Sequence, residues 1–434
     1  MRYISLLIAF IFFSTDGISQ GLTFEDALAT ALQKNYDVRI ASYAYEVDQN
    51  NSESGNAGLL PSVFLLANGS YSNQNAEVTF ANPEQPVISQ DGATTITYGA
   101  SANVEYLLFS GGRRMHVLHQ LESLSEDGRL RLKLAMENTS LNVSARFLES
   151  IRLGEEVAIL EETVRLSQDR LTRSQGLYDY GTSTKLDVLN AEVDLRRDSI
   201  ELAQTKLSYG QSLRNLFLAM GLPADTLISL DENYEINTFL DKSELIGQAL
   251  TTNTAYLRAR NDVFNAEEGL GAAKSDRWPT LAANAAYQYQ YSDFEANFLN
   301  TQENLGLNAG LTFRFNIFDG SRVQRNIANA SLSRDIAEVE LERSRNEVVR
   351  LVNNAYDSYV TNLELLEISR RNLELAETNF DRSKDAFSTG QITGIELRLA
   401  QLNLNDAQTA IIRQRAITKV AEIGLLYEAG ILVN

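Results

Sequence analysis

Alternation of apolar and polar positions marks two hairpins in the chain, and helical spacing marks nearly everything around them. Between Ile96 and Leu108, the residues Ile96, Tyr98, Ala100, Ala102, Val104, Tyr106 and Leu108 share one face. Thr97, Gly99, Ser101, Asn103 and Glu105 share the other, with Leu107 the exception. Further on, Leu305, Leu307, Ala309, Leu311, Phe313, Phe315 and Ile317 oppose Gly306, Asn308, Gly310, Thr312, Arg314 and Asn316. Leu281 to Ser292 alternates in the same way, and Ser62 to Ser72 more weakly. A period of two is the signature of a strand with two unlike faces. These runs are about 11–13 residues, the length of a tilted strand that crosses an outer membrane. A soluble sandwich also alternates, but four strands are too few for a sandwich core in a chain of 434 residues. Nor do four strands close on themselves, and an open edge in lipid leaves backbone groups unpaired. Strands of this kind in a membrane therefore require several chains in one barrel. The smallest barrels have about eight strands, which excludes a monomer and allows a dimer or trimer.

Around the hairpins the spacing is by sevens. Val188, Leu195, Leu202, Tyr209 and Leu216 form one seam, Leu397, Leu404 and Ile411 a second, and Leu153, Val157, Leu160, Val164 and Leu171 another. Sustained sevens predict coiled-coil packing. Only five prolines interrupt the chain, so very long helices are permitted. Arg113 to Tyr180 reads as one helix of about 100 Å, and 30–58 and 184–220 as helices of about 45 and 55 Å. The later part repeats this, with 321–389 against 243–276 and 393–429. One long helix thus matches two shorter ones stacked end to end. The expected result is a rod of about 100 Å with strands at one end and a helical turn at the other. Thr23 and Asp26 form the cap of the first helix.

The two sets of elements are copies. Residues 31–61 align with 249–279 at an offset of 218, bringing Asn35 onto Asn253 and Leu60-Pro61 onto Trp278-Pro279. Later positions align at an offset of 209, bringing Phe109-Ser110-Gly111-Gly112-Arg113 onto Phe318-Asp319-Gly320-Ser321-Arg322 and Gly181 onto Gly390. A period this long indicates duplication of a whole unit. The expected division is a first repeat over 20–220 with its hairpin at about 62–108, a linker over 221–242, and a second repeat over 243–434 with its hairpin at about 280–318.

Composition narrows the chemistry. Arg2, the apolar run Ile4–Phe13 and the polar stretch Ser14–Ser19 read as an export signal over 1–19, cleaved before Gln20. The absence of cysteine removes disulfides, thiolate metal sites, thiol catalysis and an N-terminal lipid anchor. The net charge of −19 makes nucleic acid and anionic lipid surfaces poor partners. His116 and His119 lie three apart on one helix face and read as surface residues. Gly269 to Lys274 resembles part of a phosphate loop but lies in a helical stretch without a preceding strand. No catalytic constellation stands out, so neither an enzyme nor a cofactor or metal is expected. If the net charge lines a channel, cations are favoured.

Taken together, the signal peptide, Leu22-Thr-Phe-Glu-Asp-Ala-Leu28, both Phe-x-Gly-x-Arg-like strand exits and both tips of the form aromatic-x-x-Gly-x-x-x-x-Leu/Ile-Asp/Glu resemble the TolC family of outer-membrane efflux and secretion channels. The resemblance spans essentially the whole mature chain. It implies a mainly α fold of duplicated coiled-coil helices with one β-hairpin each. It further implies a homotrimer with a 12-stranded barrel in outer-membrane lipid, continued by a periplasmic α-helical barrel. A periplasmic adaptor (membrane fusion protein) would dock on the tips, at Gly181, Thr182, Ser183, Gly390, Gln391 and Ile392. An inner-membrane pump of the RND, ABC or MFS type would supply energy. Asp187 and Glu396 fall where relatives place an acidic gate; Arg398, two residues on, departs from an all-acidic ring and is free to pair with an acid. Ser101, Asn103, Glu105, Asn308, Thr312 and Arg314 become candidates for the barrel lumen, with Glu105 and Arg314 as solvated charges rather than a paired ring. The alternative is a periplasmic coiled-coil adaptor or structural protein that spans no membrane.

Overall fold

The computed structural model describes residues 21–433, apart from 83, 227 and 296–298. The predicted export signal lies outside the described residues. Eight helices and four strands follow in the order α1 (Phe24–Lys34), α2 (Tyr36–Asn51), β1 (Ser62–Val78), β2 (Ile88–Phe109), α3 (Arg113–Asp179), α4 (Lys185–Ala219), α5 (Lys242–Thr252), α6 (Thr254–Ser275), β3 (Thr280–Phe294), β4 (Thr301–Arg314), α7 (Arg322–Ser388) and α8 (Gly394–Glu428). The chain forms two compact units, and each contains parts of both sequence repeats.

Among the described residues the first unit takes 21–39, 135–249 and 350–433. It is mainly helical, with an irregular stretch over 221–241 that bridges Leu230 to Leu22, and α4 packs on α3, α3 on α8 and α8 on α7. Lys206 Nζ meets Glu161 at 2.7 Å, Arg415 meets Glu155 at 3.1 Å, and Gln414 Nε2 donates to Asn362 Oδ1 at 2.9 Å. Its core gathers Phe24, Ala27 and Ala31 of α1, Val143, Phe147, Leu148 and Ile151 of α3, Leu216, Phe217 and Met220 around the end of α4, and Ala416 and Ile423 of α8. Phe24 and Phe147 meet edge to face with ring centroids 5.6 Å apart, a favoured aromatic geometry. Thr23 caps α1 by accepting from the Asp26 backbone N–H at 3.1 Å.

The second unit takes residues 40–134 and 250–349. Its sheet is antiparallel in the order β1-β2-β3-β4. The helices follow the same order. Arg131 of α3 meets Asp48 of α2 at 3.0 Å, Asp127 of α3 meets Arg258 of α6 at 2.7 Å, and α6 and α7 share a recess lined by Arg258, Asp262, Arg343 and Glu347. β1 and α2 thus form one edge of this unit, and β4 and α7 the other. Among the described residues no helix is long and apolar enough to cross a membrane.

Three expectations need correction. The helix expected over 30–58 divides at Asn35 and ends at Asn51, and the one expected over 243–276 divides at Asn253. Both asparagines turn a side-chain oxygen onto the next backbone: Asn35 Oδ1 accepts from the N–H groups of Asp37 and Val38, Asn253 Oδ1 from those of Ala255 and Tyr256. Each therefore starts a new helix. The strands have 17, 22, 15 and 14 residues, longer than expected. Backbone pairing continues beyond the apolar alternation into polar ends such as Ser72–Glu77, because ladder bonds do not depend on which side chain faces which solvent.

Candidate functional site

The sheet has one apolar face that no other described part of the chain covers. Leu65, Leu307, Leu311 and Phe313 on this face are 84%, 68%, 70% and 68% exposed. Cross-strand register aligns them in rows: Leu65 opposite Ala102, Ala102 opposite Tyr287, and Tyr287 opposite Leu307. Tyr98 and Tyr291 stack on this face with centroids 5.0 Å apart. The other face carries the residues that the sequence singled out as polar. Glu105 is opposite Asn284, which is opposite Gly310; Asn103 is opposite Ala286, which is opposite Asn308. Ser101 is opposite Gln288, Thr312 opposite Ala282, and Arg314 opposite Thr280. All six therefore share one face. Glu105 and Arg314 lie two strands apart and are offset along the sheet by four β3 positions, roughly 13 Å, so they are too far apart to pair with each other. Two apolar side chains that alternation did not flag, Phe64 and Leu66, also lie on this face, opposite Asn103 and Ser101.

The turns that follow α3 and α7 are built alike. At the first, Gly181 has φ 73° and its N–H donates to the Tyr178 carbonyl, while the Thr182 N–H reaches the Leu177 carbonyl at 2.9 Å. At the second, Gly390 has φ 74° and the Gln391 N–H reaches the Ala386 carbonyl at 2.8 Å. This left-handed closure of a helix favours glycine at that position. Each following helix opens with a reciprocal cap. Asp187 accepts from the Thr184 hydroxyl at 2.7 Å, the Thr184 N–H at 3.0 Å and the Ser183 hydroxyl at 2.8 Å. Glu396 accepts from the Thr393 N–H at 2.7 Å and its hydroxyl at 2.9 Å. The Thr184 bonds, and then the Ser183 hydroxyl, hold the Asp187 carboxyl below its ordinary range. The Thr393 backbone and hydroxyl do the same for Glu396. Both acids are thus charged caps, exposed at the turns. Gln391 and Ile392 complete the second turn, as Thr182 and Ser183 do the first.

A recess of about 650 Å³ lies between the two turns, lined among others by Ser183, Asp187, Phe387, Thr393, Ile395 and Arg398. At its base Arg398 is buried and pairs with buried Asp198 at 2.5 Å, and donates to Gln401 at 3.0 Å. Ser167 donates to Asp198 at 2.5 Å, and Arg170 pairs with Asp194. One ionic network therefore ties α8 to α3 and α4. Desolvation by burial pulls the Arg170 guanidinium below its ordinary value. The sequence marked Arg398 as able to pair with an acid, and missed the acids themselves. The signal was present: Asp198 falls three residues after Leu195, at the second seam position of its heptad, where a carboxylate needs a partner.

His116 and His119 are not bare surface residues. Both face Glu268 on α6, at 2.7 and 3.2 Å, and compete for the same carboxylate oxygen. Among the described residues no group of three or more side chains is placed to hold a metal. The Gly269–Lys274 stretch lies inside α6, where a β-carbon at Gly271 would come within 2.4 Å of the His116 ring. That glycine makes room for helix packing.

The family profile described as Outer membrane efflux protein matches residues 27–222 and 245–429. The proteases secretion protein PrtF of Dickeya chrysanthemi is 18% identical across 100% of this chain and 93% of its own. The outer membrane protein TolC of Salmonella enteritidis is 21% identical over 43% of this chain, and the match spans 39% of that relative. The crystal structure of the outer membrane protein VceC from Vibrio cholerae superposes with a TM-score of 0.73 at 15% identity, covering 94% of this chain and 96% of that one.

Proposed function

The chain belongs to the outer membrane efflux protein family, and from that membership we propose that three copies form the passive exit duct of an efflux pump or type I secretion system. Its location is the outer membrane of a Gram-negative bacterium, reaching into the periplasm. The observation that carries the reading is the sheet: four antiparallel strands, two unpaired edges, and an apolar face with no cover. In lipid those edges have to be paired. Joining β4 of one copy to β1 of the next closes a barrel, and three copies supply twelve strands.

The helices support the same head-to-tail closure. In the second unit the β1 edge carries α2 with exposed Ile40, Tyr43 and Val47, and the β4 edge carries α7 with exposed Leu332, Ile336 and Val339. In the first unit exposed Leu186, Val193, Ile200 and Leu207 run along α4 by sevens, and Leu365, Ile368 and Leu375 along α7. These are unfilled coiled-coil seams on opposite edges of each unit, as a cyclic heterologous interface requires. The polar sheet face with Ser101, Asn103, Glu105, Asn308, Thr312 and Arg314 then lines the lumen.

In this reading the turns at Gly181–Ser183 and Gly390–Ile392, with the recess between them, receive a periplasmic adaptor. Asp187 and Glu396 stand at the gate. Opening shifts α7 and α8 against α3 and α4, and the Arg398–Asp198 pair resists it. An inner-membrane pump of the RND, ABC or MFS type supplies the energy.

The test is the native mass of the detergent-purified mature chain together with its single-channel conductance. A trimer that conducts is expected. A monomer or dimer, or release from membranes by carbonate without detergent, overturns the reading in favour of a periplasmic adaptor.

A further inference from the structure

We propose that the recess where the sheet gives way to helices is an anion-binding collar, taking the carboxylate, phosphate or sulfonate groups of passing solutes; this rests on the conduit reading above. The recess holds about 480 Å³ and is lined by Arg113, Arg314, Arg322, Asp276 and Trp278, among others. It belongs to the second unit and opens on the polar side of the sheet, because Arg314 is opposite Thr280 in the same alternate register as Asn284.

Four observations give it a positive potential. Arg113 and Arg322 are the first residues of α3 and α7, at equivalent positions of the two repeats. Neither helix has an acid in its first turn. A helix start is the positive end of the helix dipole and ordinarily attracts carboxylates, so arginine there works against helix stability. That placement is made in both repeats, and it brings the two guanidinium groups to one recess. The nearby acids are already engaged: Asp276 pairs with Arg113 at 2.7 Å, and Asp319 accepts the backbone N–H groups of Arg322 and Val323, both at 3.0 Å, and lies 3.9 Å from the Arg322 side chain, so three arginines face two carboxylates. Among the described residues the Arg314 side chain has no hydrogen-bond or ion-pair partner.

Such a collar reverses what the overall charge suggests. A chain of net charge −19 would favour cations if that charge were spread evenly along the path. Permeation is instead governed by the local ring of charge nearest the ion, and rings of arginine favour anions. With each copy contributing the same recess, the root of the barrel becomes an electropositive zone inside an acidic protein.

Trp278 is the sole tryptophan of the chain, is 62% exposed, and lines the recess. Its fluorescence in the detergent-purified full chain reports the local anion concentration through iodide quenching, with neutral acrylamide as the control. In R314Q/R322Q the iodide quenching constant is expected to fall about two- to threefold while the acrylamide constant holds. R314K/R322K, which keeps the charges, is expected to quench like the parent and so separates charge from structure. Equal iodide constants in all three proteins overturn the proposal. In planar bilayers under a potassium chloride gradient, R314Q/R322Q is expected to shift the reversal potential toward cation preference. An unshifted potential alongside reduced quenching also overturns it, since the recess then lies off the path. If the parent forms no conducting pore, the conduit reading fails by itself, and quenching alone decides whether the recess gathers anions.

Discussion

The sheet of the second unit and the helical core of the first are built from the same kinds of side chain in opposite circumstances. Leu307 and Leu311 on β4 are 68% and 70% exposed, whereas Leu148 and Leu216 in the helical core are 1% and 0% exposed. Burial in the core removes apolar area from water at about 25 cal/mol per Å². The apolar face of β4 gains little of the kind within its own chain. In the proposed barrel the two regions answer to different solvents. The core is complete once the chain folds, while in that proposed barrel the sheet is complete only when lipid covers its face and neighbouring copies pair its edges.

The largest effect is expected in the core. Phe147→Ala removes a fully buried ring and its edge-to-face contact with Phe24, and is expected to cost about 3–5 kcal/mol, read as a lower denaturation midpoint of the helical signal. Phe313→Ala on the exposed sheet face is expected to leave that midpoint in place. An equal drop for both substitutions would mean the sheet is buried by the chain after all.

Next comes the ionic network. Arg398→Ala strands the buried carboxylate of Asp198 and is expected to cost about 3 kcal/mol, at the low end for a broken buried pair because Arg197 lies 3.7 Å from the same acid. If the pair restrains α8, the variant also shows more frequent channel opening in bilayers. Leaky antibiotic sensitivity without a change in protein level would be the cellular counterpart.

The two faces of β4 give a smaller and more local contrast. In the proposed barrel Leu307→Lys places a charge on the lipid side and is expected to cost about 2–4 kcal/mol near the bilayer midplane, seen as reduced assembly into outer-membrane trimers. Asn308→Lys, one residue on and facing the other way, is expected to assemble normally and alter conductance. The reverse outcome would exchange the lumen and lipid faces.

The caps come last. Asn253→Ala removes the start of α6 and is expected to cost about 1 kcal/mol. Asn35→Ala is expected to cost more than the cap alone, because Asn35 Nδ2 also donates to the Ala219 carbonyl at 2.7 Å. At the tips, the carboxyls of Asp187 and Glu396 are held below their ordinary values. Their contribution is therefore present above the unfolded pKa values, about 3.9 and 4.3, and is lost as pH falls through the lower folded ones. Hydrogen exchange of the tip amides, corrected for intrinsic rate, is expected to be flat from about pH 5 to 8 and to rise only below about pH 4. Loosening near pH 6 would show that another group controls the tips.

Local pattern was enough to read most of the elements. Sevens and the scarcity of proline predicted α3 over 113–180 against the observed Arg113–Asp179, and α8 over 393–429 against Gly394–Glu428. The breaks at Asn35 and Asn253 escaped the same reading, although the repeat had already aligned the two residues. An asparagine in a helical pattern is a cap only when its side chain turns back onto the next N–H groups. Likewise, alternation sorted the strand faces from Ile96 to Leu108 but misjudged where the ladders end.

Periodicity, duplication and the paired glycine turns, all carried by neighbours a few residues apart or by fixed offsets, sufficed for the class of fold, its internal symmetry and the location of both tips. Contacts between residues far apart in the chain were beyond their reach. The meeting of Arg398 with Asp198, the shared Glu268 between His116 and His119, and the gathering of Arg113, Arg314 and Arg322 on one recess depend on which helix lies beside which. That order is set by packing of whole faces, where many weak contacts sum, and no single residue type records it.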